Sequence, residues 1–158
     1  MPIMWAEQHP LGFLALRIKE SSEYETRVHL WTPGCVQGRD SLGEVHDHTW
    51  HMESVLLVGT LRHQTLEIVP GHLPLWAHDY QSGSINQEPN LWDARVLSDI
   101  LLSQGQSYSL GAGNLHRIEV LTPYVVTLVR TKSSKLSKAR ILGGQKPVSL
   151  MRTRMGAE

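Results

Sequence analysis

Apolar and polar positions alternate in short runs along most of this chain, with a period of two and almost no helical periodicity. Tyr24 to Thr32 is the clearest case. Tyr24, Thr26, Val28 and Leu30 fall on one face, and Arg27, His29 and Trp31 on the other. Turned toward a cavity, the second face supplies a cation, an imidazole and an aromatic wall; turned outward, it is ordinary wet surface. Leu11 to Ile18 follows a proline turn and reads as a strand, and Pro33-Gly34 and Gly38 to Ser41 read as turn and loop. Ser54 to Val58 reads as a buried strand that Gly59-Thr60 turns into Leu61 to Val69. There Leu61, His63, Thr65, Glu67 and Val69 share one face, and Pro70-Gly71 is expected to close a hairpin. His72 to Asn90 holds Pro74, Gly83 and Pro89 and reads as a short strand within a long loop. Leu91 to Leu102 has a helix-like composition but strand neighbours, and is assigned to a strand. Further strands are expected before Gly111, from His116, over Tyr124 to Thr131, and around Ala139 to Leu142. Many short strands with Gly and Pro turns predict an all-β sandwich or barrel, one domain over residues 1–142. A basic tail, residues 143–158, follows.

Histidines add chemistry to this pattern. His46 and His48 stand two apart on an expected strand, Glu44 to Trp50, and residues i and i+2 of a strand point to the same face. Both imidazoles can therefore aim at one point, and neutral imidazole suits Fe, Zn, Cu and Ni. Downstream, Gly105 is followed after five residues by Gly111-x-Gly113-x-x-His116, a glycine turn with a histidine opening the next strand. His51, His72 and His78 read as ordinary surface or packing residues. Trp31, Trp50, Trp76 and Trp92 are many tryptophans for a chain with one phenylalanine, and Trp50, two residues after His48, is placed to wall a metal site.

The two histidine segments together resemble the paired motifs of the cupin superfamily: His-x-His with a glutamate and then a glycine, followed after a spacer by Gly, five residues, Pro-x-Gly, two residues, His. Gly59 stands for the first motif's glycine, and Gly111 stands where the family has proline. The resemblance covers roughly Gly43 to Thr131. It implies a single-domain double-stranded β-helix, the jelly-roll barrel, in which inward residues of distant strands meet. It also implies His116 as the third metal ligand beside His46 and His48. The glutamate position is ambiguous. Counting back from Gly59 reaches Met52, which has the parity of the two histidines; counting forward from His48 reaches Glu53, which a bulge after Trp50 would have to turn inward. Strand register favours Met52, leaving a three-histidine site with Glu53 as an uncertain fourth ligand or supporting group.

A neutral three-histidine site beginning His-Asp-His is similar to the thiol dioxygenase branch of that superfamily, which implies Fe(II), a small thiol- or amino-acid-like substrate and O2. Zn, Ni or Mn would suit a non-redox isomerase or lyase, with Glu53 or His63 as base. A non-catalytic ligand-binding barrel is the third reading. The candidate substrate pocket is Arg27, His29, Trp50, Met52, Arg62 and His63, with Arg27 or Arg62 pairing a substrate carboxylate. The cysteine–tyrosine crosslink of cysteine dioxygenases does not carry over, because no cysteine lies in the first motif.

Composition narrows the classes. Lys and Arg total 15 and Asp and Glu total 15, so no global field draws in nucleic acid or an anionic membrane. The charge is unevenly spread: from Arg130 onward Lys132, Lys135, Lys138, Arg140, Lys146, Arg152 and Arg154 face only Glu158, which reads as a solvated or anion-binding tail. Cys35 is the sole cysteine, so no intrachain disulfide forms and a reducing compartment fits. The first residues lack a signal-peptide pattern, and no apolar run is long enough to span a bilayer. The expectation is a cytoplasmic protein. Exposed barrel edges and the family resemblance imply a homodimer.

Overall fold

Each strongly alternating stretch lies in one of two antiparallel sheets. The structure, a computed structural model, describes residues 3–9, 12–32, 45–144 and 153–155. Cys35, the turn at Pro33-Gly34, the loop at Gly38 to Ser41 and most of the basic tail lie outside these residues. The strands are β1 (Ile3–Gln8), β2 (Leu14–Lys19), β3 (Tyr24–Trp31), β4 (Val45–His46), β5 (Trp50–Val58), β6 (Thr60–Asp79), β7 (Ile85–Ser103), β8 (Ser107–Leu110), β9 (Leu115–Val120), β10 (Val125–Ser133), β11 (Lys138–Leu142) and β12 (Thr153–Met155). The larger sheet runs β12-β1-β2-β3-β10-β5-β8 and the smaller β11-β4-β9-β6-β7. Among the described residues no helix is long and apolar enough to cross a membrane. The protein is all-β, in agreement with the jelly-roll barrel that the motif pair implies.

The inner faces of the two sheets meet in one main core. Phe13 and Ala15 of the β2 side, Trp31, Met52, Leu56, Tyr108, Leu110, Val125 and Val129 of the larger sheet pack against Leu61 and Leu102 of the smaller. A second cluster draws Val45, Leu66, Leu75, Leu115 and Leu142 from β4, β6, β9 and β11. Those four strands form a closed ring, because β6 pairs with β9 through its first half and with β11 through its second.

This double pairing corrects the sequence reading of the middle of the chain. Pro70-Gly71 does not close a hairpin, and His72 to Asn90 is not a long loop. β6 continues through an irregularity between Pro70 and Leu73, and the reversal comes at residues 80–84 instead. Pro70 cannot donate to the ladder, so it breaks the pairing locally without ending the strand. Gly71 sits so close to Asp93 that a Cβ there would lie 2.2 Å from the carboxyl carbon. The bend lets one strand serve two neighbours. Leu91 to Leu102 is a strand, as its neighbours suggested, within the longer β7. The histidine strand is shorter than expected: only Val45 and His46 are extended in β4, and pairing resumes at Trp50.

What fixes Asp47 to His48 in place is a buried charge. Asp47 is 3% exposed, and it accepts from the Arg140 backbone N–H at 2.6 Å and from the Arg140 Nε at 2.6 Å. Its own N–H donates to the Arg140 carbonyl at 3.0 Å. Arg140 also donates from Nη2 to the Gly113 carbonyl at 2.8 Å. Leaving the Asp47 carboxylate buried without its partner is predicted to cost about 3–5 kcal/mol. Denaturant unfolding of Arg140→Ala should show that loss, whereas Arg140→Lys should recover part of it; an Arg140→Ala protein as stable as wild type would show the pair to be idle.

Candidate metal centre

Three imidazoles from two distant segments come together at one end of the ring. His46 lies directly opposite His116 in the β4–β9 ladder, and His116 lies opposite Thr65 of β6. His48 reaches the same place from outside a strand. The ring centroids of His46 and His48 are 4.8 Å apart, those of His46 and His116 4.6 Å, and those of His48 and His116 5.1 Å. One ligand nitrogen from each lies within 4.8 Å of the other two, and this is the group of metal-ligating side chains found among the described residues.

The segment that delivers His116 is docked on the segment that delivers His48. The Gly113 N–H donates to the His48 carbonyl at 2.9 Å, and the Ala112 N–H donates to His51 Nδ1 at 3.2 Å. Gly113 has φ of 77°, the left-handed region where glycine carries no Cβ penalty, so the chain turns there directly into His116. Gly59 does the equivalent work after β5. Its φ is 88°, and a Cβ there would lie 2.2 Å from the Tyr124 carbonyl oxygen.

The donor set fits a divalent ion. His48 Nε2 and His116 Nε2 are 3.0 Å apart. Two nitrogens each about 2.1 Å from one ion and roughly at right angles are about 3.0 Å apart, so this spacing is that of two neighbouring ligands. Burial, with the nearby His46 and His116 rings and Arg27, holds His48 well below its ordinary pKa. Burial likewise lowers His116, with His46 and His63 adding to it. Both shifts favour the neutral ring, the form a metal requires.

Behind His116 stands His63, which is 2% exposed, with Nε2 3.2 Å from His116 Nδ1. If the Nδ1–H of His116 donates to His63, Nε2 of His116 is left to face the other two imidazoles. The His63 ring stacks on Tyr108 at 4.0 Å, and burial lowers its pKa to about 4 while raising the Tyr108 phenol to about 12. His63 is a neutral support for a ligand.

On the other side, Trp50 stacks on His48 at 3.9 Å with 15° between the rings, and the Arg27 guanidinium lies 4.4 Å from the Trp50 centroid. The Arg27, His29 and Trp31 face thus looks inward, and all three are buried. Arg27 Nε bonds Glu25 at 2.5 Å, and Glu25 takes two bonds from Arg17 at 2.6 and 2.7 Å. Arg17 also reaches the buried Glu7 at 3.2 Å. Burial works against the Glu25 charge, but the bonds and charges of Arg17 and Arg27 outweigh it and hold its pKa below the ordinary value. A cleft of about 330 Å³ opens along this row, with Arg17, Tyr24, Arg27, Trp50, Tyr80 and Thr131 in its lining.

The remaining candidates divide cleanly. Met52 is 5% exposed and belongs to the main core. Glu53 is exposed on the opposite face of β5, beside Arg130 and Ser109, so the structure does not bring it to the imidazoles. β5 alternates regularly from Trp50 to Leu56, its irregularity coming only at Leu57, so parity decides which of the two turns inward. Arg62 lies on the outside, 3.3 Å from Asp99 and 3.2 Å from Glu119. His29 packs against Phe13 and Trp31 and is not in the group of three imidazoles. Sequence reasoning missed Arg140, grouping it with a solvated basic tail. Its signal was a lone charge inside an apolar strand pattern, Ala139 to Leu142.

Removing His63 is predicted to weaken divalent-metal affinity about 10- to 100-fold, the usual cost of losing a ligand's supporting hydrogen bond. His116→Ala should abolish stoichiometric binding, and isothermal titration of both variants with Zn(II) checks the order. Equal affinities for wild type and His63→Ala would remove His63 from any supporting role.

No family model and no curated protein matches the chain. Among solved structures it is similar to a hydroquinone 1,2-dioxygenase, PnpCD, in complex with Cd2+ and 4-hydroxybenzonitrile, at 17% identity and a TM-score of 0.43, over 73% of this chain and 61% of that one. It is similar to the hydroquinone 1,2-dioxygenase of Sphingomonas sp. TTNP3 with 4-hydroxybenzoate bound, at 11% identity and a TM-score of 0.43, over 75% of this chain and 64% of that one. A hydroxypropylphosphonic acid epoxidase from S. wedmorenis matches at 11% identity and a TM-score of 0.41, over 77% of this chain and 50% of that one. The chain spans less than two thirds of the length of each, and these distant likenesses carry nothing about its activity.

Proposed function

We propose that this chain is a metal-dependent oxygenase of the cupin type, with His46, His48 and His116 holding one Fe(II) ion and a small acidic substrate entering beside Trp50. The observation that carries the reading is the convergence of three imidazoles without a carboxylate among the described residues. Such a ligand set would leave the ion's charge uncompensated and would suit an ion that also takes exogenous ligands. Fe(II), when bound, supplies one-electron redox chemistry at which substrate and O2 are brought together.

The protein's own residues do the rest. Trp50 covers one face of His48 and keeps water from it. Arg27 lines the cleft beside Trp50, and its guanidinium suits a carboxylate of a thiol- or amino-acid-like substrate. Between the two arginines of the sequence reading, Arg27 is favoured because Arg62 lies on the outside among acidic partners. His63 is placed to fix the tautomer of His116 from behind.

The non-redox alternative loses support at its base. It needs a proton acceptor over the substrate, and its two candidates were Glu53 and His63. Glu53 points outward, and His63 is engaged with His116 beneath the centre.

The test is O2 uptake by protein reconstituted anaerobically with Fe(II), then given small thiols with and without a carboxylate. Uptake is expected with the acidic thiols only. Arg27→Met should raise KM about tenfold or more while iron content stays at wild-type level, since a lost charge-assisted pair is worth roughly 1.5–3 kcal/mol. O2-independent turnover of a small acid with Zn, Ni or Mn would replace this reading with the non-redox one.

A further inference from the structure

The charges on the inner side of the larger sheet alternate in sign and end on a cation. Arg17 and Arg27 stand directly opposite each other in the β2–β3 ladder. Two cations so placed repel, and Glu25 bridges them. It accepts from Arg17 at 2.6 and 2.7 Å and from Arg27 at 2.5 Å. Arg17 also draws in Glu7, at 3.2 Å. The order of signs is therefore Glu7, Arg17, Glu25, Arg27, and the last member is positive.

That positive end is turned toward the three imidazoles. The Arg27 guanidinium lies 4.4 Å from the Trp50 centroid, and the His48 ring stacks on the same indole at 3.9 Å. One ring face has room for one planar group at such a distance, so the two lie on opposite faces in a three-layer stack. Arg27 is 7% exposed, and salt screens a charge so buried only weakly. Its field reaches His48, whose pKa is lowered first by burial, then by His46 and His116, and then by Arg27. A divalent cation loaded onto His46, His48 and His116 therefore works against a fixed positive charge one indole away. The cleft runs along that same charge, with Arg17, Glu25, Arg27 and Trp50 in its lining. A small anion there is the next member of the alternating row.

We propose that the cleft binds a small carboxylate or sulfonate, and that this anion and the metal ion bind synergistically, each tightening the other. The inference rests on the three-histidine centre of the proposed function and adds that the acidic group of a ligand takes part in metal loading. The planar guanidinium of Arg27 has five N–H donors, of which Nε serves Glu25, and its fork matches an oxyanion. An anion held there offsets the charge that opposes the metal, with no ligand of the metal changed. Linkage makes the effect reciprocal: the factor by which the anion tightens the metal is the factor by which the metal tightens the anion. Couplings of this kind are typically about 5- to 150-fold, and about tenfold is expected for charges separated by one aromatic ring.

Isothermal titration of the full chain with Zn(II), with and without methanesulfonate at constant ionic strength, tests this. Methanesulfonate carries the required charge and is a poor metal ligand, so it reports on the cleft and not on the ion's own coordination. Zn(II) is expected to bind about tenfold more tightly with the anion present, and the anion about tenfold more tightly to Zn(II)-loaded than to metal-free protein. Arg27→Met is expected to bind Zn(II) without the anion at least as tightly as wild type does, and to show no anion dependence. Glu25 keeps both Arg17 bonds in that variant, and Arg27→Gln makes the same test if Arg27→Met fails to fold. Equal Zn(II) affinities with and without methanesulfonate would overturn the inference and leave the metal centre standing. Coupling that survives in Arg27→Met would also overturn it, by putting the anion elsewhere. No Zn(II) binding under either condition would overturn both the inference and the three-histidine centre it rests on.

Discussion

One ion pair, with its carboxylate buried, ties the two halves of the candidate centre together. Asp47 stands between His46 and His48, and Arg140 comes from a strand formed more than ninety positions later. From there Arg140 reaches the Gly113 carbonyl, and Gly113 in turn donates to the His48 backbone. The loop closed by these contacts brings His116 opposite His46. Closing so long a loop costs conformational entropy, and a charged, several-bonded contact is strong enough to hold the end state. It also explains why His48 keeps its position outside a strand. Regular pairing places His46 and His116; side-chain bonding holds the segment of His48.

Buried charge recurs on the inner side of the larger sheet. Glu7, Arg17, Glu25 and Arg27 alternate in sign across β1, β2 and β3 and end against Trp50. Their charges cancel in pairs, so the row is tolerated in a region where a single ion would be costly. The inside of the barrel is therefore graded. An apolar core fills one part, the imidazoles sit beside it, and a polar row opens toward solvent.

Period-two alternation on β3, together with short runs bounded by Gly and Pro turns, made the all-β architecture legible. The same rule chose Met52 over Glu53 for the inner side of β5. The three histidines were legible only through their spacing, since a lone imidazole on a strand says little. Alternation misled where proline and glycine were read as punctuation. At Pro70-Gly71 the neighbouring strands on both sides outweighed the local break, and one strand continued through it. Arg140 was hidden for a different reason. Its partner is remote in sequence, and a basic residue near a basic tail looks solvated until the chain is folded.

The central claim is that His46, His48 and His116 bind one ion through nitrogen. X-ray absorption of Zn(II)-loaded protein measures this directly. The account predicts about three nitrogen scatterers at roughly 2.0–2.1 Å with the outer-shell pattern of imidazole, and loss of that pattern in His116→Ala. A first shell of oxygen or sulfur alone, or one unchanged by His116→Ala, would contradict it.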